Sequence, residues 1–442
     1  MSTWIGRTFV SDTGWDHLER LVDVGNRMAG SAGERDAAEL TRDALAEAGA
    51  RDAHLDEFDI QGWERGSSSV DAGDETFSQQ HECIALPRSP GASASGDLLD
   101  LGYGLPEDFE DADCEGKVVM VRSDIPDHYD RYIHRREKYY HAVEAGAAAF
   151  VYRNHVEGYL PPTGSVGTQE DPIGEIPAVG VAAETGAQLA RQYDGEAVTV
   201  SVEATTDDAT SQNVHAELGP DTDEAVLVTS HVDAHDISTG AMDNGAGTAM
   251  VVELARLLAD REDELDTRVR FVCFGAEEVG LVGAEHEADQ TDFDDVKAVL
   301  NNDGVVQARD LAFYTHGFPE LSDALDTVGD RLDHPLKAVP KQGPHSDHWP
   351  FVQWGVPGYH VYGESSGTGR GWGHTHADTL DKLEKRDLRE QAILLGDLAV
   401  HLASDEFAAA HRRPDEIAAA LEDEDQAEGM RITGDWPYDE SE

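Results

Sequence analysis

Val226-Leu227-Val228-Thr229-Ser230-His231-Val232-Asp233 begins a stretch in which three apolar runs each stop at side chains that bind metal. The second run, Phe271-Val272-Cys273-Phe274-Gly275-Ala276-Glu277-Glu278, ends in two carboxylates, and the third, Val299-Leu300-Asn301-Asn302-Asp303, in one more. Between the first and second lies Gly240-Ala241-Met242-Asp243-Asn244-Gly245-Ala246-Gly247, followed by Met250, Val251, Leu254, Leu257 and Leu258 on one face of a helix. Val269–Phe274 is apolar on both faces, as suits a strand covered on both sides. This alternation of strand and helix predicts an α/β fold with a mixed, mostly parallel sheet flanked by helices. Open sheets of that kind bind ligands beyond the carboxyl ends of their strands. His231 and Asp233, Glu277 and Glu278, and Asp303 are therefore expected at one edge, with Asp243 arriving from the Gly-rich loop. The late segment His374-Thr375-His376-Ala377-Asp378-Thr379 supplies a further histidine.

Outward from this stretch, Trp15 to Val24 has helical spacing, and Ser31-Ala32-Gly33-Glu34 is a capping-box pattern that opens a second helix ending near Gly49. Ala53–Ile60 reads as a short strand. From about Gly62 to Ala204 the texture changes to short strands separated by Gly, Pro and acidic turns, with a single helix at Tyr139–Ala145. That region is expected to be an inserted, mainly β domain. The predicted organisation is residues 1–62 and 205–405 for the main domain, 63–204 for the insert, and 406–442 for an acidic tail made of a solvated helix and a loose end. The last amphipathic helix before the tail carries Leu388, Ala392, Leu395, Ala399 and Leu402.

The 442 residues contain 90 Asp and Glu against 33 Lys and Arg, a formal net charge of −57 spread over most of the chain. Such a surface repels nucleic acid and anionic membranes, so neither is expected as a partner. At ~1 M salt the screening length falls to about 3 Å and most of the self-repulsion disappears. The composition thus resembles that of proteins from salt-accumulating cells. Three cysteines, Cys83, Cys114 and Cys273, are too few and too scattered for a disulfide framework. Met1-Ser2-Thr3-Trp4-Ile5-Gly6-Arg7 lacks the apolar core of a signal peptide, and a cytoplasmic, soluble chain is expected. A homo-oligomer is compatible with the sequence, which does not decide it.

Taken singly, each site element has a plainer explanation. Glu277-Glu278 could be acids at a helix start, His231 a satisfied strand-end histidine, and Asp243-Asn244-Gly245 an ordinary turn. Jointly they place ligand types after successive apolar runs, where unpaired carboxylates are costly. The pattern His-x-Asp, Asp-Asn-x-x-Gly, Glu-Glu, Asn-x-Asp and His-Thr-x-x-Asp-Thr resembles the M28 family of zinc exopeptidases, and the inserted region resembles a protease-associated domain. The resemblance implies two Zn²⁺ ions, with Co²⁺ or Mn²⁺ as substitutes. His231 and Asp303 would hold one ion and Glu278 and His374 the other, with Asp243 bridging. Glu277 would be the general base and Asp233 the acid that orients His231. A cis Asp243–Asn244 peptide is implied as well.

Ser346-Asp347-His348 is a candidate substrate-pocket segment, with packing and turn formation as the competing roles. His235 and His376 are set aside as ligands, because the implied sites are filled without them. The resemblance favours an exopeptidase acting on short peptides, an aminopeptidase first. Trp63-Glu64-Arg65-Gly66 and Gly240-Ala241-Met242-Asp243 point also toward a carboxypeptidase Q-like dipeptidase or carboxypeptidase. Readings from other classes are glutaminyl cyclase, which shares the fold with a single metal, and a binding protein with a decayed site. The complete ligand set argues against both.

Overall fold

The computed structural model describes residues 3–129, 131–364 and 371–438. The chain forms two compact units. The first takes in Met1–Ile60, Ala209–Gly369 and Asp378–Leu421, and the second Gln61–Asp208, Arg370–Ala377 and Glu422–Glu442.

In the first unit the apolar runs become strands β1 (Ala225–His231), β2 (Arg268–Phe274), β3 (Val296–Asn302), β4 (Leu311–Tyr314), β5 (Lys337–Val339) and β6 (Gly358–Gly363). They lie in the order β5-β4-β6-β3-β1-β2, and residues 214–218 pair antiparallel with β2. The pairs β6–β3, β3–β1 and β1–β2 are parallel, and β4–β6 is antiparallel, so the sheet is mixed and mostly parallel. β1 is buried along its whole length, which explains its unbroken apolar run. Helices α1 (Thr13–Val24), α2 (Ala32–Glu47), α3 (Gly247–Ala259), α4 (Val282–Gln290), α5 (Pro319–Leu332) and α6 (Lys385–Leu402) belong to this unit. α3 buries nearly every residue, and α6 buries Leu388, Ala392, Leu395, Ala399 and Leu402. Strands β4 and β5 are short, four and three residues, and are not among the strands expected from the sequence.

Register puts the ligand types at one edge. His231 pairs with Phe274 across β1 and β2, and Thr229 pairs with Asn301 across β1 and β3. Asp303, two residues beyond Asn301, is thereby level with His231, two beyond Thr229. Because side chains alternate along a strand, both residues fall on the face that carries Thr229 and Asn301.

In the second unit the strands Ser93–Asp100, Val118–Arg122, Ala149–Arg153 and Ala178–Val181 are parallel neighbours, with Cys83–Ala85 antiparallel at the end. Three helices, Pro106–Asp111, Arg135–Glu144 and Ala183–Tyr193, accompany them where the sequence pattern indicated one. The apolar centre of this unit gathers Val119, Val121, Tyr139, Phe150 and Ala178.

Two expectations change. The run Ala53–Ile60, expected as a short strand, is part of a longer one extending from Arg51 to Ala72. The acid-rich end is not a loose tail over its described length. Pro414–Asp423 is a helix that buries Ile417 and Leu421, and Ala427–Ile432 is another that buries Ala427 and Met430. Arg136 holds the end to the second unit, donating to Asp435 Oδ2 at 2.9 Å and to the Thr433 carbonyl at 3.1 Å. Four buried apolar side chains and Arg136 thus hold parts of a segment whose acids dominate the pattern; residues 439–442 of the predicted tail lie outside the described residues. Cys83, Cys114 and Cys273 are free and buried. Among the described residues no helix is long and apolar enough to cross a membrane.

Candidate metal centre

His231 ends β1 fully buried, and its two ring nitrogens face different partners. Nδ1 lies 3.2 Å from the carbonyl of Asp233 and 3.4 Å from its carboxylate. A proton on Nδ1 satisfies both, which leaves Nε2 as a bare acceptor. Nε2 is buried and makes no hydrogen bond among the described residues, although Asp243 Oδ1 stands 3.3 Å away, Asp303 Oδ1 3.7 Å and Glu277 Oε2 3.9 Å. Donor atoms of His231, Asp243 and Asp303 all lie within 4.8 Å of one another. One neutral imidazole and two carboxylates around a buried nitrogen lone pair fit a divalent cation.

The carboxylates are fixed from beneath. Thr229 Oγ1 donates to Asn301 Oδ1 at 2.7 Å, Asn301 Nδ2 to Ser346 Oγ at 2.8 Å, and Ser346 Oγ to Asp303 Oδ2 at 2.7 Å. This relay runs across the face that register selects and aims Asp303 at His231. Ser346 is therefore engaged in bracing Asp303 at a fully buried position. His348, also buried, is bonded to the Gly343 carbonyl and stacks between His316 and His360 at 4.7 and 5.2 Å, a packing role. Asp347 is buried, neither of its oxygens makes a hydrogen bond among the described residues, and burial pushes its carboxyl well above the usual range.

Asp243 comes from the kinked turn 241–246 before α3, and its peptide bond to Asn244 is cis, as the family pattern implies. Asn244 Nδ2 donates to the Asn302 carbonyl at 2.9 Å, and its Oδ1 accepts from Gly247 N. A Cβ on Gly247 would stand 2.1 Å from both Asn244 Oδ1 and the Asn302 carbonyl, so only glycine permits this approach. Asp378 accepts from Met242 N at 2.8 Å and Asp243 N at 3.1 Å, and burial raises it to about 6.

Glu277 and Glu278 follow β2, and their backbone N–H groups each donate to one oxygen of Asp233 at 3.1 Å. Asp233 thus positions the glutamate pair as directly as it orients His231. Burial drives the Glu277 carboxyl well above its usual range, opposed by His231 and reinforced by Asp347, Glu278 and Asp303. Burial works against protonation of His231, but Glu277, Asp233, Asp243 and Asp303 together raise it well above the usual imidazole value. A divalent cation would replace that proton as the positive charge these acids demand. Glu278 Oε2 lies 2.9 Å from His235 Nε2, which brings to the site a histidine set aside in the sequence. The spacing His-x-Asp-x-His was the available signal. His374 lies in the 370–377 segment of the second unit, where Thr163 N donates to its carbonyl at 2.8 Å.

Residues 213–399 match the family model for peptidase family M28, and residues 87–189 match that for the PA domain. Over residues 213–399 the chain is similar to peptidase family M28. It is 28% identical to aminopeptidase YwaD of Bacillus subtilis (strain 168) over 386 residues, 84% of this chain and 80% of that protein. It is 26% identical to carboxypeptidase Q of Bos taurus over 397 residues, 86% and 82% of the two chains. Among solved structures, a zinc aminopeptidase from Bacillus subtilis matches with a TM-score of 0.69 at 25% identity, covering 91% of this chain and 97% of that one.

A buried arginine, Arg27, braces the ligand loop. Arg27 donates to the carbonyls of Val232, Leu21, Thr239 and Gly240 at 2.7 to 3.1 Å. Burial lowers it to about 10, while Asp378, Asp233, Glu278 and Asp243 hold it up, so it stays charged at neutral pH. Its charge also offsets part of the acid excess around the site.

Proposed function

We propose that the chain is a co-catalytic dinuclear zinc exopeptidase that removes N-terminal residues from short peptides. The observation that carries this reading is the bare, buried Nε2 of His231 enclosed by Asp243 and Asp303 with Glu277 beside it. His231, Asp303 and Asp243 would hold one zinc ion. Glu278 would hold the second, shared through Asp243, with His374 as the ligand expected from the sequence and His235 as the histidine next to Glu278. Bound zinc supplies Lewis acidity that polarises the scissile carbonyl and lowers the pKa of a water toward ~7.

Glu277 is the proton carrier. Its carboxyl group beside His231 suits a residue that takes a proton from the attacking water and delivers it to the leaving amine. Asp233 holds the backbone of Glu277 and Glu278 and the tautomer of His231 at once, so nucleophile activation and ligand geometry share one brace. The relative named aminopeptidase YwaD supports release of N-terminal residues. The relatives named carboxypeptidase Q support a dipeptidase or carboxypeptidase as the second reading.

Hydrolysis of amino-acid anilides, dipeptides and N-blocked peptides in molar KCl, with and without chelator, tests both. The expected result is cleavage of substrates with a free amine, its loss on chelation and its recovery with zinc. Cleavage confined to N-blocked peptides would overturn the aminopeptidase reading, and activity unchanged by chelation would overturn the metal reading.

A further inference from the structure

Beyond the last ladder position of β2, four consecutive backbone N–H groups are each taken by a side-chain oxygen. Gly275 N donates to Asn213 Oδ1, Ala276 N to Glu34 Oε1, and Glu277 N and Glu278 N to the two oxygens of Asp233, all at 3.1 Å. Buried N–H groups must find acceptors, and here no strand supplies them. Three of the four are accounted for by residues adjacent in the sheet or in the ligand loop. The remaining acceptor, Glu34, reaches in from the first turn of α2.

Glu34 is fully buried, and it accepts from donors on three separate segments. Oε1 accepts from Ala276 N and from Ser211 Oγ at 2.7 Å, and Oε2 accepts from Gly30 N at 2.7 Å. Ser31 caps α2 by accepting from Glu34 N at 3.1 Å, but the Glu34 side chain does not complete the capping box. It leaves its own helix for the turn after β2. Ala276, the residue it holds, has φ +56, a left-handed conformation that residues with a Cβ seldom adopt. The approach also requires a glycine next door. A Cβ on Gly275 would lie 2.3 Å from Ser211 Oγ and 2.9 Å from Glu34 Oε1.

We propose that Glu34 is a positioning residue for the Glu277–Glu278 pair, acting through the backbone of Ala276. Resting on the reading of Glu277 as proton carrier, it fixes the left-handed turn from which both glutamates project. Glutamine at this position has one carbonyl oxygen, which can accept from Ala276 N or from Gly30 N but not from both, and its NH₂ then faces a donor. The turn loosens on one side while the core keeps its volume. A reacting group displaced by a fraction of an ångström costs turnover more than it costs substrate binding.

The test is Glu34→Gln, with Ser211→Ala as a milder second variant that removes one donor to the same oxygen. The expected result for Glu34→Gln is a kcat lowered by at least ~10-fold with KM within ~3-fold of wild type and metal content unchanged. Amide hydrogen exchange in the segment 275–278 should accelerate in both variants, at a melting temperature that leaves each folded at the assay temperature. Unchanged exchange at 275–278 in both variants overturns the proposal, as does a kcat that falls only in proportion to the folded fraction. Should the wild-type chain hydrolyse no peptide, the functional reading fails, and the exchange measurement still decides whether Glu34 sets this turn.

Discussion

Glu277 and Glu278 are neighbours in sequence with opposite surroundings. Glu278 lies 2.9 Å from His235, while Glu277 faces His231 at 3.9 Å and carries a carboxyl pushed up by burial. A base that works by moving a proton loses that ability as an amide, whereas ligands on other residues are untouched. Glu277→Gln is therefore expected to keep its zinc and lose turnover by at least ~10²-fold. Elemental analysis alongside steady-state kinetics checks this, and retained activity would remove Glu277 from the mechanism. The same comparison shows where single residues mislead. In a chain of 90 acids a Glu-Glu pair is weak evidence, yet the N–H groups of both residues end on one buried aspartate.

At the scale of elements, α1 and α2 meet through a histidine that titration can probe. His17 Nε2 lies 3.1 Å from Thr41 Oγ1, whose own hydroxyl donates to the Ala37 carbonyl at 2.8 Å. Nε2 must then carry the proton, and Nδ1 is left as a buried acceptor with no donor among the described residues. Burial accordingly lowers this imidazole to about 3 from the ordinary 6.5. With the folded value depressed, the unfolded chain binds the proton first as pH falls. The stability from neutral His17 is complete above pH 6.5 and is lost progressively toward pH 3. Between neutral pH and about pH 5 the loss amounts to about 2 kcal/mol. Denaturant unfolding at both pH values should show that His17→Gln loses less stability on acidification than wild type, by about that amount; parallel losses would refute it. The helices themselves were legible from spacing. This contact was not, because which face of α1 meets α2 depends on the sheet beneath them.

For the whole molecule the dominant fact is charge. A net −57 over 442 residues has few cations to answer it, and several of the arginines are already engaged, as in Arg261 and Arg331 on the buried Asp397. Self-repulsion of the remaining acids should fall as salt is added, from a screening length of about 10 Å at ~0.1 M to about 3 Å at ~1 M. The melting temperature is expected to rise across that range of KCl, with calorimetry as the measurement. A melting temperature independent of KCl would show that the charge is balanced locally and would argue against adaptation to a salt-rich interior.

By itself the sequence determined the strands that end in ligand-type residues, the α/β class, and the family that those residues resemble. These are local or periodic properties: an apolar run long enough to be a buried strand, a glycine-rich loop, a histidine two residues before an aspartate. Only the tertiary structure decided that Ser346 braces Asp303, that His235 stands against Glu278, that Glu34 leaves its cap for Ala276, and that Arg27 gathers the ligand loop. It also placed two helices, Pro414–Asp423 and Ala427–Ile432, in a stretch whose pattern is dominated by acids. These contacts join groups far apart in the chain, and two of them, Glu34 with Ala276 and Arg27 with the ligand loop, run through backbone N–H and carbonyl groups that every residue possesses. A residue's own type reveals which bonds it can make, and the register of the sheet and the packing of helices upon it select the partner.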